Sequence, residues 1–239
     1  MACSRIVARK CSNGLLMIDY FAKAFGLAPI NAYEDYRMSF DQGVNSAVAG
    51  ATALPVETLR AKGLPSHAGN ADVVQSIVGG VRTVIGFGAT KVVVPGRFPV
   101  GCLPMSPYHD SLLFKGSPTV FDSNLCLKEY NRLAARHNDI LKVAIEKLRK
   151  EHPDVAIVYA DYYNAYLSIQ TNAEELGFAS KFSTCCVSGD KFNFSFDKPC
   201  GKVDSCPNRR NILVGMESVP LNKQTDSWLT ISSIPSFPN

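Results

Sequence analysis

The chain is expected to fold as a three-layer α/β/α sandwich around a parallel sheet. Three observations carry that expectation. Two short apolar segments, Lys91–Pro95 (KVVVP) and Val155–Ala160 (VAIVYA), have no alternation of polar and apolar residues, so each reads as a strand covered on both faces. Between and before them lie long stretches with apolar residues at helical spacing. The resulting order of strand, helix, strand, helix and strand calls for crossover connections and a sheet with helices on both sides.

The elements follow in chain order. Residues 13–26 (NGLLMIDYFAKAFG) place Leu15, Leu16, Ile18, Phe21, Ala22 and Phe25 at helical spacing, with Gly26 as the stop. Residues 43–49 (GVNSAVA) are short and Val/Ala-rich and run into Gly50, as a buried strand entering a turn would. Residues 72–87 (DVVQSIVGGVRTVIGF) form a second helix. Asp72 is expected to cap it, Val73, Val74, Ile77, Val81, Val84 and Ile85 form its apolar face, and Gly88 ends it. The internal Gly79-Gly80 pair weakens this helix by roughly 1 kcal/mol per glycine relative to Ala.

Residues 96–124 read as a long loop rich in Pro, Gly and Ser. Residues 125–152 give the strongest helical signal, with Leu127, Tyr130, Leu133, Ala134, Leu141, Ala144, Ile145 and Leu148 on one face and Pro153 as the stop. A further helix is expected over 163–176, and residues 185–239 lack periodicity.

Composition narrows the function classes. The 239 residues carry a net charge of +4, with basic clusters only at Arg149-Lys150 and Arg209-Arg210. Neither a basic stripe nor a stacking motif for nucleic acid is present, and no apolar run has the length of a membrane span. Residues 1–10 are basic without an apolar core, so they do not read as a secretory signal. Against that, four of eight cysteines crowd into a loop-rich stretch as Cys185, Cys186, Cys200 and Cys206, and Asn193-Phe194-Ser195 is a glycosylation sequon in the same stretch. These features point to disulfides and the secretory pathway. Zinc is the alternative for the four cysteines, but no C-x-x-C pair occurs and adjacent Cys185-Cys186 suit one tetrahedral ion poorly. No cofactor is expected.

Several short motifs invite chemistry. Gly86 to Lys91 (GFGATK) has glycine spacing like a phosphate loop, but it sits between a helix and the following strand, the wrong order, so a helix C-cap is the better account. Cys102 follows a strand at a loop, and Cys126 is its candidate partner. Of the four histidines, His67, His109, His137 and His152, the pair His109-Asp110 is adjacent in a loop, an arrangement that seldom orients a base. His137 is expected at the solvent edge of the long helix and His152 at its C-terminal end. Asp161 lies at a strand's C-terminal end, where sites form in such sheets.

Five segments in the same order resemble the plant GDSL esterase/lipase family of the SGNH hydrolase superfamily. They are Asn13 to Asp19, Gln42 to Leu54, Val93 to Cys102 (VVPGRFPVGC), Cys126 to Asn131 with Tyr159 to Ala165 (YADYYNA), and Cys185-Cys186 with Cys200-Gly201. The resemblance covers roughly residues 11–207. It divides the chain into a non-family start at 1–12, a partial hydrolase domain at 13–207 and a divergent tail at 208–239. It implies a flavodoxin-like fold, small-molecule ester substrates and secretion. It also implies a serine from a Gly-Asp-Ser block attacking the acyl carbon, a histidine base oriented by aspartate in a D-x-x-H block, and an oxyanion hole of glycine N–H and asparagine side chain.

Matched residue by residue, this sequence keeps little of that machinery. Gly50 stands at the oxyanion glycine. No Gly-Asp-Ser and no Gly-x-Ser-x-Gly occurs; the nearest string is Gly189-Asp190-Lys191. Asn70 follows Gly69 directly before a helix, where the family has roughly thirty residues, which implies a deletion near 65–71 and a helix-flanking role for Asn70. Met216 to Lys223 aligns weakly with the D-x-x-H block, putting Glu217 at the aspartate and Pro220 at the histidine, and proline has no group to titrate. The resemblance suggests a structural role for Asp161. Three readings stay open: an ester hydrolase by descent without a competent triad, a non-catalytic protein that binds small esters or glycosides, and the product of a disrupted or alternatively spliced gene.

Overall fold

The computed structural model describes residues 16–33, 35, 37–47, 53, 69–103, 120–184 and 193. The chain divides into two compact units, residues 1–51 with 169–231 and residues 52–168 with 232–239.

In the first unit, helix α1 spans Met17–Ala24. It starts later than the apolar spacing predicts, because Leu16 is its extended N-cap. The Asp19 carboxylate reaches back to accept the Leu16 N–H at 2.8 Å, half of a capping box. The helix ends where the sequence places the stop. Gly26 has φ +69°, and the bonds Leu27 N–H to Ala22 O and Gly26 N–H to Lys23 O close a Schellman motif. Two short strands, β1 (Asn31–Ala32) and β2 (Val44–Asn45), pair in parallel. Among the described residues the strand expected over 43–49 is realised at Val44–Asn45, and β1 has no sequence signal at all. Asn45 Oδ1 turns back to the Ala47 N–H at 3.0 Å, which ends β2.

The second unit holds the main α/β assembly. Helix α2 spans Asn70–Gly86, strand β3 Lys91–Pro95, helix α3 Lys128–Glu151 and strand β4 Ala156–Ala160, and helix α4 (Tyr162–Thr171) belongs to this unit up to Ser168. β3 and β4 pair in parallel over their full length, from Lys91 opposite Ala156 to Pro95 opposite Ala160. One face of this pair is covered by both long helices. Val74, Val78 and Val81 of α2, Val94 of β3, Leu141, Ile145 and Leu148 of α3 and Ile157 of β4 form a single apolar cluster. Burying a side chain of this size stabilises by about 1.5–3 kcal/mol. The two helices run side by side in the same direction. Asn70 Nδ2 donates to the Leu133 carbonyl at one end, and Arg82 binds Glu151 at 2.7 Å at the other.

Several expectations need correction. Asp72 is not the N-cap of α2; Gly69 is, and Asp72 lies in the first turn, where its charge complements the helix dipole. α3 begins at Lys128 rather than 125. Asp122 Oδ1 accepts the N–H groups of Asn124 and Cys126 at 2.9 Å each, and Leu125 adopts φ +58°, so those residues form a tight turn and not a helix. Leu133, assigned to the apolar face, is exposed. In β3 only Val94 is fully buried, so its apolar run does not mean cover on both faces. The helix expected over 163–176 stops at Thr171 and continues as turns.

Candidate functional site

The C-terminal ends of β3 and β4 lie side by side, joined by the bond from Gly96 N–H to Ala160 O at 2.9 Å. Ligands of open α/β sheets bind at this end. The chain leaves β3 into residues 96–103, and this loop is held on α3 by a set of fixed contacts.

Asn138 is the first anchor. Its Oδ1 accepts the Arg97 N–H at 2.7 Å and its Nδ2 donates to the Arg97 carbonyl at 2.9 Å. One amide therefore satisfies both backbone groups of Arg97, as a neighbouring strand would. Asn131, two helical turns earlier on the same side of α3, is the second. Its Oδ1 accepts the Gly101 N–H at 2.9 Å and its Nδ2 lies 3.4 Å from Cys102 Sγ. Leu127 N–H donates to Gly101 O at 3.0 Å. The third anchor is covalent: Cys102 and Cys126 form a disulfide. Asn131 and Asn138 are both buried, so their bonds form out of water, where an unpaired partner would be costly.

Gly101 shows how tight the fit is. A Cβ there would overlap the Leu127 carbonyl oxygen and lie 2.9 Å from Asn131 Oδ1. Gly96 is similar against the ring of Tyr159. These glycines are required by close approach.

Around the loop sit several aromatic rings. Phe98 packs on Tyr162 at 5.3 Å and edge-on to Tyr166 at 6.1 Å between centroids. Burial pushes the Tyr162 phenol up to about 12 and raises Tyr166 as well. Tyr159 is also pushed up to about 12, by burial first and then by the negative charges of Asp161 and Asp139. The Lys142 ammonium lies 5.0 Å above its ring.

His137 corrects the sequence reading. It is buried, with 4% exposure, not at the solvent edge. The stripe Tyr130, Ala134, His137, Leu141 faces inward because α3 packs on the loop as well as the sheet. Burial, and secondarily the Arg97 charge, holds the His137 imidazole below its usual value, and its Nδ1 has no hydrogen-bond partner. His152 is the C-cap of α3, as expected at that end. Asp161 caps α4: its Oδ1 accepts the Asn164 N–H at 3.1 Å and its Oδ2 the Asn164 side-chain amide at 2.7 Å.

The other sequence-derived candidates divide into placed and unplaced. Asn70 is the first residue of α2 and spends its amide on Leu133. Asn193 is exposed, has φ +52°, and its carbonyl accepts the Thr184 hydroxyl. Gly50, Glu217, Pro220, Cys185, Cys186, Cys200, Cys206, His67, His109 and Gly189 to Lys191 lie outside the described residues. Among the described residues no group of three or more His, Cys, Asp or Glu side chains is arranged to hold a metal ion, and no helix is long and apolar enough to cross a membrane. What sequence reading missed was the pair Asn131 and Asn138. The available signal was two amides on an otherwise apolar helical stripe.

Comparison with known proteins places this assembly. The GDSL-like Lipase/Acylhydrolase family matches residues 65–198. Acetylajmalan esterase 2 of Rauvolfia serpentina is 30% identical, over 84% of this chain and 71% of its own length. A GDSL esterase/lipase of Arabidopsis thaliana is 29% identical over 92% of this chain and 71% of itself. A second Arabidopsis GDSL esterase/lipase is 44% identical over 131 residues, 55% of this chain and 39% of that relative. The match to the Rauvolfia enzyme spans 264 aligned positions, more than the 239 residues present here, so stretches of that relative have no counterpart in this chain. With its parallel strands, its covering helices and the anchored loop after β3, the chain belongs to the GDSL-like lipase/acylhydrolase family.

Proposed function

We propose that this chain is a carboxylic-ester-binding member of the GDSL family that does not turn esters over with its own residues. One observation carries the reading: none of its 239 residues forms a Gly-Asp-Ser or a Gly-x-Ser-x-Gly string, and acyl transfer in this family needs that activated serine. Pro220 at the position aligned with the histidine base points the same way, since it can neither accept nor donate the proton. Gly50 remains the candidate oxyanion N–H. Asn70 is assigned a structural role, because its amide is committed to the Leu133 carbonyl.

The ligand class is a small ester, as the names of the relatives suggest. The partial hydrolase domain at 13–207, the deletion near 65–71 and the divergent tail at 208–239 belong to the same reading. The unmatched stretches in the alignment with the Rauvolfia enzyme support an internal deletion. Passage through the secretory pathway, with a glycan on Asn193, is supported by the Cys102–Cys126 disulfide and by the exposure of Asn193.

A second reading, an unstable product of a disrupted gene, draws on β3. The bonds of Thr90 and Gly96 to β4 set the alternation of the parallel ladder, so the backbone groups of Val93 and the carbonyl of Pro95 face the other edge. Among the described residues no strand pairs there.

Labelling of the purified chain with a fluorophosphonate probe, beside p-nitrophenyl acetate turnover and a thermal melt, separates the cases. The expected result is a cooperative melt without labelling or turnover. Stoichiometric labelling with turnover overturns the proposal, and the lack of any melt favours the unstable product.

A further inference from the structure

Helix α2 and strand β3 share one side of the second unit that α3 does not reach. Ala156 N–H bonds Thr90 O, so Ala156 faces β3 and Ile157 faces the far edge of β4. Arg149 of α3 donates from Nε to that Ile157 carbonyl at 2.7 Å. α3 therefore lies over β4 and its far edge, and α2, which leads into β3 through residues 87–90, lies over β3. On β3 both backbone groups of Val93 turn away from β4, and among the described residues no strand pairs there. Such an edge is a template for another strand.

The helix carries a matching feature. Val73, Ile77, Gly80, Val84 and Phe87 recur at three- and four-residue spacing and share a face. It is not the core face, which is made by Val74, Val78 and Val81. Arg82, the only charged residue from 73 to 88, turns to Glu151 of α3, and Val84, two positions on, points roughly the opposite way. The Ser76 hydroxyl donates to the Ala53 carbonyl, so the chain itself flanks the N-terminal half of the row. The C-terminal half is open. Val84 is 42% and Phe87 85% exposed, and an added Cβ at Gly80 would meet nothing within 4 Å. A phenylalanine this exposed in an uncharged apolar row marks a contact surface.

We propose that a second copy of this chain covers this side, in a two-fold dimer that pairs β3 with β3 and α2 with α2. A two-fold axis normal to the sheet keeps both helices on one face and makes both pairings antiparallel. Val93 then exchanges its N–H and carbonyl bonds with Val93 of the copy, and Pro95, without an N–H, ends the pairing. On the helices Val84 meets Gly80 of the copy and Phe87 meets Ile77, a pairing centred level with residue 82. That centre lies about 6 Å from the Gly86 end of α2, and Val93 lies about 7 Å from the Lys91 start of β3. Both distances run back from the same turn, so one axis serves both contacts. A foreign strand would pair with β3 and leave the helix row bare, whereas a copy brings both parts. Two uncharged faces meet without like-charge repulsion, and the contact is isologous, so it closes at two chains. The pairing is independent of ester binding.

Sedimentation equilibrium of the full chain reads the assembly. Twice the 26.0 kDa of one chain is expected. Phe87→Glu should weaken association at least tenfold, while Val143→Glu, at a position 59% exposed on α3, leaves it unchanged. Hydrogen exchange of the wild type tests the strand contact without a substitution, and serves also if Phe87→Glu fails to fold. The Val93 amide should be protected in the dimer and exchange at least tenfold faster once dilution yields the monomer. A monomer at sub-millimolar concentration, open-ended assemblies, a dimer indifferent to Phe87→Glu, or Val93 exchange that ignores concentration overturns the proposal.

Discussion

Replacing Gly101 by alanine isolates the fit between the loop after β3 and helix α3. The new methyl would lie within the 3.0 Å that real Cβ atoms essentially never breach, against the Leu127 carbonyl oxygen, and 2.9 Å from Asn131 Oδ1. Neither neighbour can move freely. Leu127 is the N-cap of α3, its N–H is bonded to Gly101 O, and the adjacent Cys126 is tied to Cys102. Overpacking at such a site costs about 1–3 kcal/mol. Stretching or losing the bonds from Gly101 N–H to Asn131 and from Leu127 N–H to Gly101 O adds about 0.5–1.5 kcal/mol each. The total, roughly 2–6 kcal/mol, corresponds to a fall in melting temperature of roughly 4–24 °C for a chain of this size. Urea unfolding followed by far-UV circular dichroism measures it, with Gly80→Ala as the internal control. Gly80 lies in the middle of α2, exposed, with nothing within 4 Å of an added Cβ. The same chemical change there should stabilise by about 1 kcal/mol, the helix-propensity difference. Equal stability of Gly101→Ala and the wild type would refute the account of the loop as a close-packed backbone contact.

Four further outcomes follow from the same structure. Asn138→Ala should cost about 1–3 kcal/mol, because it strands the N–H and carbonyl of Arg97 without partners, and amide exchange at Arg97 should accelerate. Reducing the Cys102–Cys126 bond, or replacing both by alanine, opens a crosslink with a sequence separation of 24; the chain-entropy model puts the loss at about 3 kcal/mol, readable as a lower urea midpoint. The His137 pKa is depressed from 6.5 in the folded chain, so below that value the unfolded state binds more protons. Stability should therefore fall as pH drops from about 6.5, and His137→Asn should flatten that slope. At high pH the sign reverses in kind: the Tyr159 and Tyr162 phenols hold their protons to about 12, so stability should decline as pH rises above about 10, readable as a falling urea midpoint.

The local rules of the chain were legible in its sequence. Strand β3 matches the expected Lys91–Pro95, Gly26 and Gly88 end α1 and α2 as left-handed caps, and the GFGATK stretch is a helix terminus, since Ala89 N–H bonds Val84 O and Gly88 N–H bonds Ile85 O. Such features depend on residues within one or two turns of each other, so composition and spacing suffice. The Cys102–Cys126 pairing was named as a candidate, and Asp161 was assigned a structural role through the family resemblance.

What only the tertiary structure decided is which face of a helix meets what. His137 and Leu133 exchanged their expected places because α3 packs against a loop as well as a sheet, a fact no periodicity contains. The start of α3 moved because the Asp122 side chain captures two backbone N–H groups and forces a turn. β1 gained its identity from a partner in β2 rather than from its own two residues. The amides of Asn131 and Asn138 are unremarkable polar residues in the sequence; burial against the backbone of Arg97 and Gly101 turns them into the clamps that hold the candidate site. Sequence determines local conformation through short-range sterics and hydrogen bonds, whereas the worth of a polar side chain is set by the long-range packing that removes it from water.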